Sequence, residues 1–318
     1  MNTIKNKPIK LLPAFKDYLW GGTKLKTDFN KKSDLDIVAE SWELSANEDG
    51  QSVVSGGEFD GYTMREYIAK VGKSVLGSKA QEMTYFPLLI KLIDAKTNLS
   101  VQVHPDDEYA ERVEHSYGKT EMWYVLDCEP GAFLYYGLNR EVSKEEFKER
   151  IDNNTVLEVL NKVEVHKGDV FFIPSGTIHA IGAGILICEI QQNSNITYRV
   201  YDYDRRDKYG RPRELHIDKA LDVTELRPAP KLTQTQGGDD AVLASCKYFT
   251  VRRLRLNGKT EIDIDDTSFH SLIVTDGDGS IEMNDTKIEL HKGDSVFVPA
   301  QKGSYVLAGE GEIVLSRI

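Results

Sequence analysis

The feature that most constrains the fold is a ten-residue segment that occurs twice. Val165–Pro174 and Leu290–Pro299 lie 125 residues apart and share six of their ten residues. Each copy contains Lys-Gly-Asp, then an apolar strand-like run, then a proline. Glycine adopts turn conformations that other residues avoid, and proline ends a strand because it cannot donate a ladder hydrogen bond. The repeat therefore predicts two β units of similar topology.

The rest of the chain also indicates a mainly β protein. Short β-branched and aromatic runs closed by Gly, Asp or Asn dominate, and these are typical of strands. Helical signals are few: the capping boxes Thr63–Glu66 and Ser143–Glu146, and the polar segment 106–118. We expect two β-barrels of jelly-roll type with a few inserted helices. The stretch 226–238, rich in proline and glycine, predicts a linker, and we divide the chain into domains 1–228 and 229–318.

Composition limits the partners and the compartment. A net charge of −11 disfavours nucleic acid and anionic membranes, although it leaves room for a small anionic ligand in a basic cleft. The run Phe86–Ile93 is far shorter than the roughly 20 apolar residues that span a bilayer. The N-terminus carries no secretory signal pattern, and the three cysteines are far apart and odd in number. We expect a cytoplasmic protein, and nothing in the sequence indicates an oligomeric state.

The two copies of the repeat differ after their prolines. The first copy continues to His179, and position for position the second copy has Ser304. If His179 has a special role, the second unit has lost it. This asymmetry favours a functional role over a packing role for His179.

A second histidine lies in a strand-like run in which Ser100, Gln102 and His104 share one face. Such a face suits a polar site inside a barrel, and Glu121 begins the next predicted strand. Imidazole and carboxylate groups together suit zinc or another first-row divalent ion, with an open position for a substrate. We predict that His104, Glu121 and His179 bind a metal; the alternatives are a hydrogen-bonded core histidine and a solvated glutamate. The other histidines are interpreted as surface or turn residues: His115, His166, His216, His270 and His291.

The spacing Gly168-x5-Pro174-x-Gly176-x2-His179 resembles the second motif of the cupin superfamily. The first cupin motif usually has His-x-His followed closely by a glutamate; here Gln102-x-His104-Pro stands in its place, with Glu121 displaced by an insertion. That variant resembles type I phosphomannose isomerases in their short bacterial form. Further matching segments are Asp17–Gly22, Ala39–Glu43, Phe86–Lys91, Leu99–Pro105, Gly118–Glu121 and Arg199.

The resemblance implies a zinc enzyme that interconverts mannose 6-phosphate and fructose 6-phosphate through an enediol. It implies that residues 1–228 form the catalytic, metal-binding cupin domain and that residues 229–318 form a degenerate cupin-like domain. One Zn²⁺ per chain is expected, although other divalent ions suit the same donors. The implied ligands are His104, Glu121, His179 and Gln102, with a substrate contact as the alternative role of Gln102. Arg199 matches the family's active-site arginine, and further cleft positions are Glu40, Lys91, Lys119 and Glu189, while Ser100, Lys119 and Arg199 suit a phosphate.

Alternatives stay open at this point. A cupin dioxygenase using iron would predict more histidines and no phosphate-binding cations, and a non-enzymatic sugar-binding cupin would need no metal set. Lys91 lies midway through an apolar run and is equally compatible with a snorkelling or edge residue. Arg199 is equally compatible with an ion pair to Asp202 or Asp204.

Overall fold

The computed structural model describes residues 6–206, 209–230 and 240–318. The predicted linker from residue 231 onwards lies outside these ranges, and so do the first five residues of the N-terminus, on which the expectation about a secretory signal partly rested. Within the described residues no helix combines the length and apolarity needed to cross a bilayer. The fold is mainly β, as the sequence predicted.

Strands make up most of the regular structure, in runs of two to fifteen residues. They are β1 (Ile9–Leu12), β2 (Ala14–Lys16), β3 (Glu40–Leu44), β4 (Ala46–Asn47), β5 (Gly50–Gln51), β6 (Val53–Ser55), β7 (Leu88–Ala95), β8 (Val101–Val103), β9 (Glu121–Cys128), β10 (Phe133–Leu138), β11 (Leu160–Glu164), β12 (Val170–Ile173), β13 (His179–Ile181), β14 (Ile185–Gln192), β15 (Tyr198–Tyr201), β16 (Asp240–Ser245), β17 (Thr250–Ile264), β18 (His270–Met283), β19 (Thr286–His291), β20 (Ser295–Val298) and β21 (Gly303–Arg317).

The helices are short and include all three that the sequence indicated. The α-helices are α1 (Lys24–Thr27), α2 (Met64–Val71), α3 (Asp107–Glu114), α4 (Lys144–Asp152) and α5 (Ile217–Val223), with 3₁₀ turns at Gly57–Phe59, Lys73–Leu76, Ser78–Ala80 and Val156–Val159. Helix α2 begins with the complete capping box of Thr63 and Glu66. At α4 only half of the predicted box forms: Ser143 accepts from the Glu146 amide, while the Glu146 carboxylate binds Arg140.

Three sheets position the elements that matter for function. Sheet I has the order β12-β9-β14-β7-β3-β2, and sheet II has the order β11-β10-β13-β8-β15. They share a buried apolar cluster that includes Trp123, Ile187 and Leu134. Sheet III contains the C-terminal strands in the order β16-β17-β21-β18-β20-β1-β6, with β19 on β18. Its last two strands come from the N-terminal part of the chain, so the predicted domains 1–228 and 229–318 share a sheet, and the boundary itself stays a prediction.

The repeated segment forms the same turn twice. Gly168 and Gly293 have φ of 91° and 93°, a conformation that favours glycine. The carboxylates of Asp169 and Asp294 accept from the amides three residues earlier, each at 2.8 Å. Each turn then leads into a strand that pairs with an equivalent neighbour, β12 with β9 and β20 with β18. The sequence prediction of two related β units was based on these turns. In the structure both turns, and the strand that follows each of them, have the same local geometry.

The second copy corrects one prediction and shows where the position-for-position alignment of the two copies ends. His270 was interpreted as a surface or turn residue, but it is buried and its Nδ1 lies 2.9 Å from the Tyr305 hydroxyl oxygen. The inward-facing residue on the strand after the second proline is Tyr305 rather than Ser304, whose hydroxyl instead donates outward to Glu261. Strand β21 begins four residues after Pro299, whereas β13 begins five residues after Pro174. A shift of one residue moves a side chain to the opposite face of a strand, so the residue aligned with His179 faces outward.

Candidate active site

Strand β8 carries the polar face that the sequence predicted. Val101 and Val103 point into an apolar cluster formed with helices α4 and α5. Gln102 points the other way and lies directly across from His179 on β13 and from Arg199 on β15. Neighbouring strands are about 4.8 Å apart, so Arg199 and His179 lie roughly 10 Å apart across one face of sheet II. The row Arg199–Gln102–His179 therefore forms one wall of a polar site.

Three predicted ligands meet at this wall. One side-chain atom of each of His104, Glu121 and His179 lies within 4.8 Å of the others. His104 Nε2 is 3.6 Å from Glu121 Oε2, and His179 Nε2 is 3.3 Å from Glu121 Oε1. All three residues are buried. Within the part of the chain that the structure describes, this is the one such group of histidine, cysteine and acidic side chains.

Both histidine rings are oriented by carbonyl groups outside the cluster. Nδ1 of His104 is 2.8 Å from the Ile196 carbonyl oxygen, and Nδ1 of His179 is 2.8 Å from the Thr177 carbonyl oxygen. A carbonyl accepts only from N–H, so each Nδ1 carries the proton and each Nε2 presents a lone pair to Glu121. Burial lowers the pKa of His179 to about 4 and that of His104 well below its usual value, so both rings stay neutral.

The atoms that face one another in this cluster lack hydrogen-bond partners. They are Nε2 of His104 and both carboxylate oxygens of Glu121, of which Oε2 has only the ion pair with Lys119. Burial raises the pKa of Glu121, although the nearby Lys119 ammonium opposes this shift. Buried polar atoms without partners are costly, so their convergence on one point needs an explanation. Two neutral imidazoles and one carboxylate with free lone pairs are the donor set of a divalent metal site.

A buried network of lysines and carboxylates borders the cluster. Lys119 Nζ lies 3.0 Å from Glu121 Oε2. Lys91 Nζ lies 3.5 Å from Glu40 Oε2 and 3.4 Å from Glu189 Oε1. All five side chains are at most one tenth exposed. These cleft positions, which the sequence predicted separately, therefore form a single charged network beside the histidines.

The network also decides between the two interpretations of Lys91. Strand β7 lies inside sheet I between β14 and β3, and Lys91 is 3% exposed, so it is neither an edge residue nor a snorkelling one. Burial alone would lower its pKa, but the carboxylates of Glu40 and Glu189 raise it, and the side chain stays charged. Although burial alone would raise the pKa of Glu189, Lys119 and Lys91 hold it below its usual value.

Two tryptophans that the sequence analysis missed hold these carboxylates. Trp42 Nε1 donates to Glu40 Oε2 at 2.7 Å, and Trp123 Nε1 donates to Glu189 Oε2 at 3.0 Å. Trp42 lies two residues from Glu40 on one strand, and Trp123 lies two residues from Glu121 on another. Residues two apart on a strand face the same side of the sheet, so each indole lies on the same face as the glutamate before it. This spacing was visible in the sequence and could have identified both tryptophans.

Arg199 does not form the alternative ion pair with Asp202. Its Nε donates to Ser100 Oγ at 3.2 Å, and its Nη1 donates to the Glu214 carbonyl at 2.9 Å. Asp202 instead binds Arg205 and Arg213. Burial, and then the nearby Arg213, lower the pKa of Arg199. The structure therefore brings Ser100 and Arg199 together at one end of the polar wall, whereas Lys119 lies at the other end, beside Glu121.

Comparisons with known proteins agree with this architecture. The family model for the phosphomannose isomerase type I catalytic domain matches residues 9–130, and the model for the mannose-6-phosphate isomerase cupin domain matches residues 240–318. The chain is 38% identical over 318 residues to mannose-6-phosphate isomerase ManA of Bacillus subtilis, covering 98% of this chain and 99% of that protein. It is 38% identical over 315 residues to mannose-6-phosphate isomerase of Streptococcus mutans, covering 98% of both chains.

Solved structures agree as well. The crystal structure of mannose 6-phosphate isomerase from Bacillus subtilis superposes with a TM-score of 0.88 at 36% identity, covering 98% of this chain and 99% of that one. A putative mannosephosphate isomerase from Archaeoglobus fulgidus shares the fold, with a TM-score of 0.80 at 24% identity and 98% coverage of both chains. The likeness extends over nearly the whole length of each protein. The matched family models cover the region that contains Gln102, His104 and Glu121 as well as the C-terminal strands of sheet III. The chain therefore belongs to the type I phosphomannose isomerase family.

Proposed function

We propose that this chain interconverts mannose 6-phosphate and fructose 6-phosphate, using one divalent metal ion, expected to be Zn²⁺, held by His104, Glu121 and His179. The observation that carries the proposal is the convergence of buried donor atoms from these three residues, of which His104 Nε2 and both Glu121 oxygens have no hydrogen-bond partner. The carbonyls that accept from both Nδ1 atoms act as the outer hydrogen-bond partners that metal-binding histidines usually have. The relatives named as mannose-6-phosphate isomerases supply the substrate class.

Gln102 is the proposed fourth ligand. Its side-chain Nε2 lies 3.5 Å from His179 Nε2, where it faces the lone pair of the neutral ring. Rotating the amide by half a turn would direct its oxygen to the same point, and amide orientation is assigned from such contacts rather than observed. The amide oxygen would then be a fourth ligand beside the two imidazoles and the carboxylate; its alternative role is to contact the substrate.

The reaction requires a proton to move between C1 and C2 of the open-chain sugar. When bound, the metal supplies positive charge that stabilises the oxygen anion developing on these carbons. The Arg199 guanidinium, fixed by Ser100 and the Glu214 carbonyl, can donate hydrogen bonds to a substrate that lies along the polar wall. Of the neighbouring groups, Glu189 is held ionised and can accept a proton, while the Lys119 ammonium can donate one.

The charges of the site suit a phosphate ester. Three carboxylates (Glu40, Glu121 and Glu189) and two ammonium groups (Lys91 and Lys119) leave one net negative charge. A divalent cation and the guanidinium of the nearby arginine turn this into two net positive charges. A phosphate monoester carries about two negative charges at neutral pH, so a loaded site would balance its substrate. This local balance explains how an acidic chain can bind an anion.

A second candidate, an iron-dependent dioxygenase, is favoured by one observation. Two histidines and one carboxylate also form the donor set of many non-haem iron oxygenases. The buried lysines and the arginine beside the cluster favour an anionic substrate instead. Oxygen consumption by the Fe²⁺-loaded protein would support the oxygenase, and its absence during mannose 6-phosphate turnover would count against it.

The decisive experiment couples fructose 6-phosphate formation to a spectroscopic assay. Turnover of mannose 6-phosphate is expected with Zn²⁺, and EDTA should abolish it. His179→Ala should lose both the metal and the activity while keeping the fold by circular dichroism. His270→Gln is the matched control, because it also replaces a buried histidine at a strand beside a repeat turn, and it should keep both. Ser304→Ala should likewise keep both.

Two outcomes would contradict the proposal. Parent protein that shows no chelator-sensitive turnover with any added divalent metal would refute the activity. A His179→Ala variant that binds Zn²⁺ as tightly as the parent would refute the ligand assignment. A cytoplasmic location and the absence of nucleic-acid partners stay predictions from the sequence.

A further inference from the structure

The segment Gly118–Glu121 carries two site residues, Lys119 and Glu121, but it is held in place from outside the site. The Lys119 amide donates to the Pro105 carbonyl at 2.9 Å. The Gly118 amide donates to Asp107 Oδ1 at 3.0 Å. Gly118 also packs so closely on the start of α3 that an added Cβ would lie 2.4 Å from the Asp106 carbonyl carbon. The first turn of α3 therefore sets where this segment begins.

A buried glutamine holds the middle of the same segment. The side-chain oxygen of Gln192, Oε1, accepts from the backbone amide of Thr120 at 2.9 Å. The backbone amide of Gln192 donates to the Thr120 carbonyl at 3.1 Å. Gln192 Nε2 donates to Asp107 Oδ1 at 2.8 Å. The Asp107 carboxylate thus orients the Gln192 side chain, which in turn binds the backbone amide of Thr120, the residue between Lys119 and Glu121.

The remaining oxygen of Asp107 is bound by the C-terminal part of the chain. Tyr248, in the loop between β16 and β17, donates its hydroxyl to Asp107 Oδ2 at 2.5 Å. The Lys247 ammonium lies 3.7 Å from the same oxygen but is largely exposed, so it contributes little. With Tyr248, Gln192 and Gly118 as donors, the carboxylate is fixed at both oxygens.

We propose that Tyr248 is a positioning residue for the active site, acting through Asp107 and Gln192 on the segment that carries Lys119 and Glu121. The C-terminal sheet, which contributes no residue to the metal cluster, would in this way stabilise the geometry of the cluster. The inference rests on the proposed function where it concerns metal and catalysis. Its effect on the backbone of residues 118–121 is independent of that function.

Tyr248→Phe tests the proposal, because it removes one hydroxyl and keeps the ring. In the metal-free protein, amide hydrogen exchange at residues 119–121 is expected to speed up at least about 10-fold, since a lost anchor lowers the cost of local opening. Zn²⁺ affinity, measured by competition with a chromophoric chelator, should fall about 3- to 10-fold. Removing a residue that hydrogen-bonds directly to a metal ligand typically lowers metal affinity about 10- to 100-fold. Tyr248 acts through two further hydrogen bonds, so its effect should be smaller. The kcat should fall while KM changes little.

Tyr109→Phe is the matched control. Tyr109 lies on α3, the helix that begins with Asp107. Like Tyr248, it donates its hydroxyl to a carboxylate, here Asp222 Oδ2 at 3.1 Å. Its partner Asp222 lies on α5 and not in the segment 118–121, so exchange, Zn²⁺ affinity and kcat should match the parent. A double-mutant cycle adds a second check: with Asp107→Ala already present, Tyr248→Phe should change Zn²⁺ affinity less than 2-fold.

A purely structural role predicts a different pattern. If Tyr248→Phe lowers the melting temperature but leaves exchange at 119–121, Zn²⁺ affinity and kcat unchanged, the hydroxyl only joins two parts of the molecule and the inference is wrong. Equal effects from Tyr109→Phe would overturn it too. If the parent lacks isomerase activity, the proposed function fails, whereas the exchange and Zn²⁺ comparisons still decide the role of Tyr248.

Discussion

His270 offers a quantitative test of the structure, because its environment differs from the one the sequence suggested. The ring is 4% exposed, and burial, followed by the positive charges of Arg317 and Arg252, lowers the pKa of His270 to about 4. Tyr305 is the ring's hydrogen-bond partner. The perturbation is His270→Gln, which keeps a polar group for Tyr305 and removes the titration.

The sign and size follow from the two states of the chain. In the unfolded chain the ring binds a proton as the pH falls through about 6.5, whereas in the folded chain it stays neutral until about pH 4. Folding stability that is present above pH 6.5 is therefore lost as the pH falls toward 4. At about 1.4 kcal/mol per pH unit, the loss approaches 3 kcal/mol over the full range and about 2 kcal/mol by pH 5. The glutamine variant cannot lose stability in this way.

The assay is urea unfolding of metal-free protein between pH 7.5 and 5, for the parent and the variant. The free energy of unfolding of the parent should fall relative to that of His270→Gln by about 2 kcal/mol over this range. His291→Gln, at an exposed turn, is the control and should follow the parent. Parallel curves for the parent and His270→Gln would refute the burial of His270 as described here.

Four further substitutions have defined outcomes. Lys91→Met should lower the free energy of unfolding, measured in urea, by about 3–5 kcal/mol, because it removes the positive charge that two buried carboxylates share. Gly118→Ala should cost about 1–3 kcal/mol in the same measurement and weaken Zn²⁺ binding, because the new Cβ meets the backbone at the start of α3. Arg199→Lys should lower kcat about 100-fold or more in the coupled assay with the fold retained, because lysine lacks the fork that donates to two acceptors. Ser143→Ala should cost about 1 kcal/mol, seen as a lower melting temperature, because the α4 amide at position 146 loses its cap.

Local chemistry explains what the sequence could predict. The two turns at Gly168 and Gly293 require glycine and a following aspartate, and those needs are visible in a single chain. The polar face of β8 follows from the period of two, which also put Gln102 and His104 on one side. Clustering of His104 with Glu121 was inferred from residue type and from resemblance, and the structure brings the two side chains together.

Tertiary geometry explains what the sequence could not predict. The strand after the second proline begins one residue earlier, which puts Tyr305 rather than Ser304 on the inward face, and residue types alone do not predict such a shift. The burial of Lys91 depends on strands that flank β7 on both sides, one of them about 100 residues further along the chain. The contact of Tyr248 with Asp107 joins residues 141 positions apart. Distances of this kind are set by packing and not by local propensity.

The position of β1 has a consequence for how the chain acquires its structure. Ile9 pairs with Phe297. Strand β1, which is synthesised early, therefore cannot pair with β20 until nearly the whole chain has been made. Pairings between residues so distant in sequence slow folding, because the chain must close a very long loop first. A nascent chain that has passed only residue 228 exposes the edge of β1 that β20 would cover, which is a template for aggregation. Truncated forms ending there are accordingly expected to need chaperones.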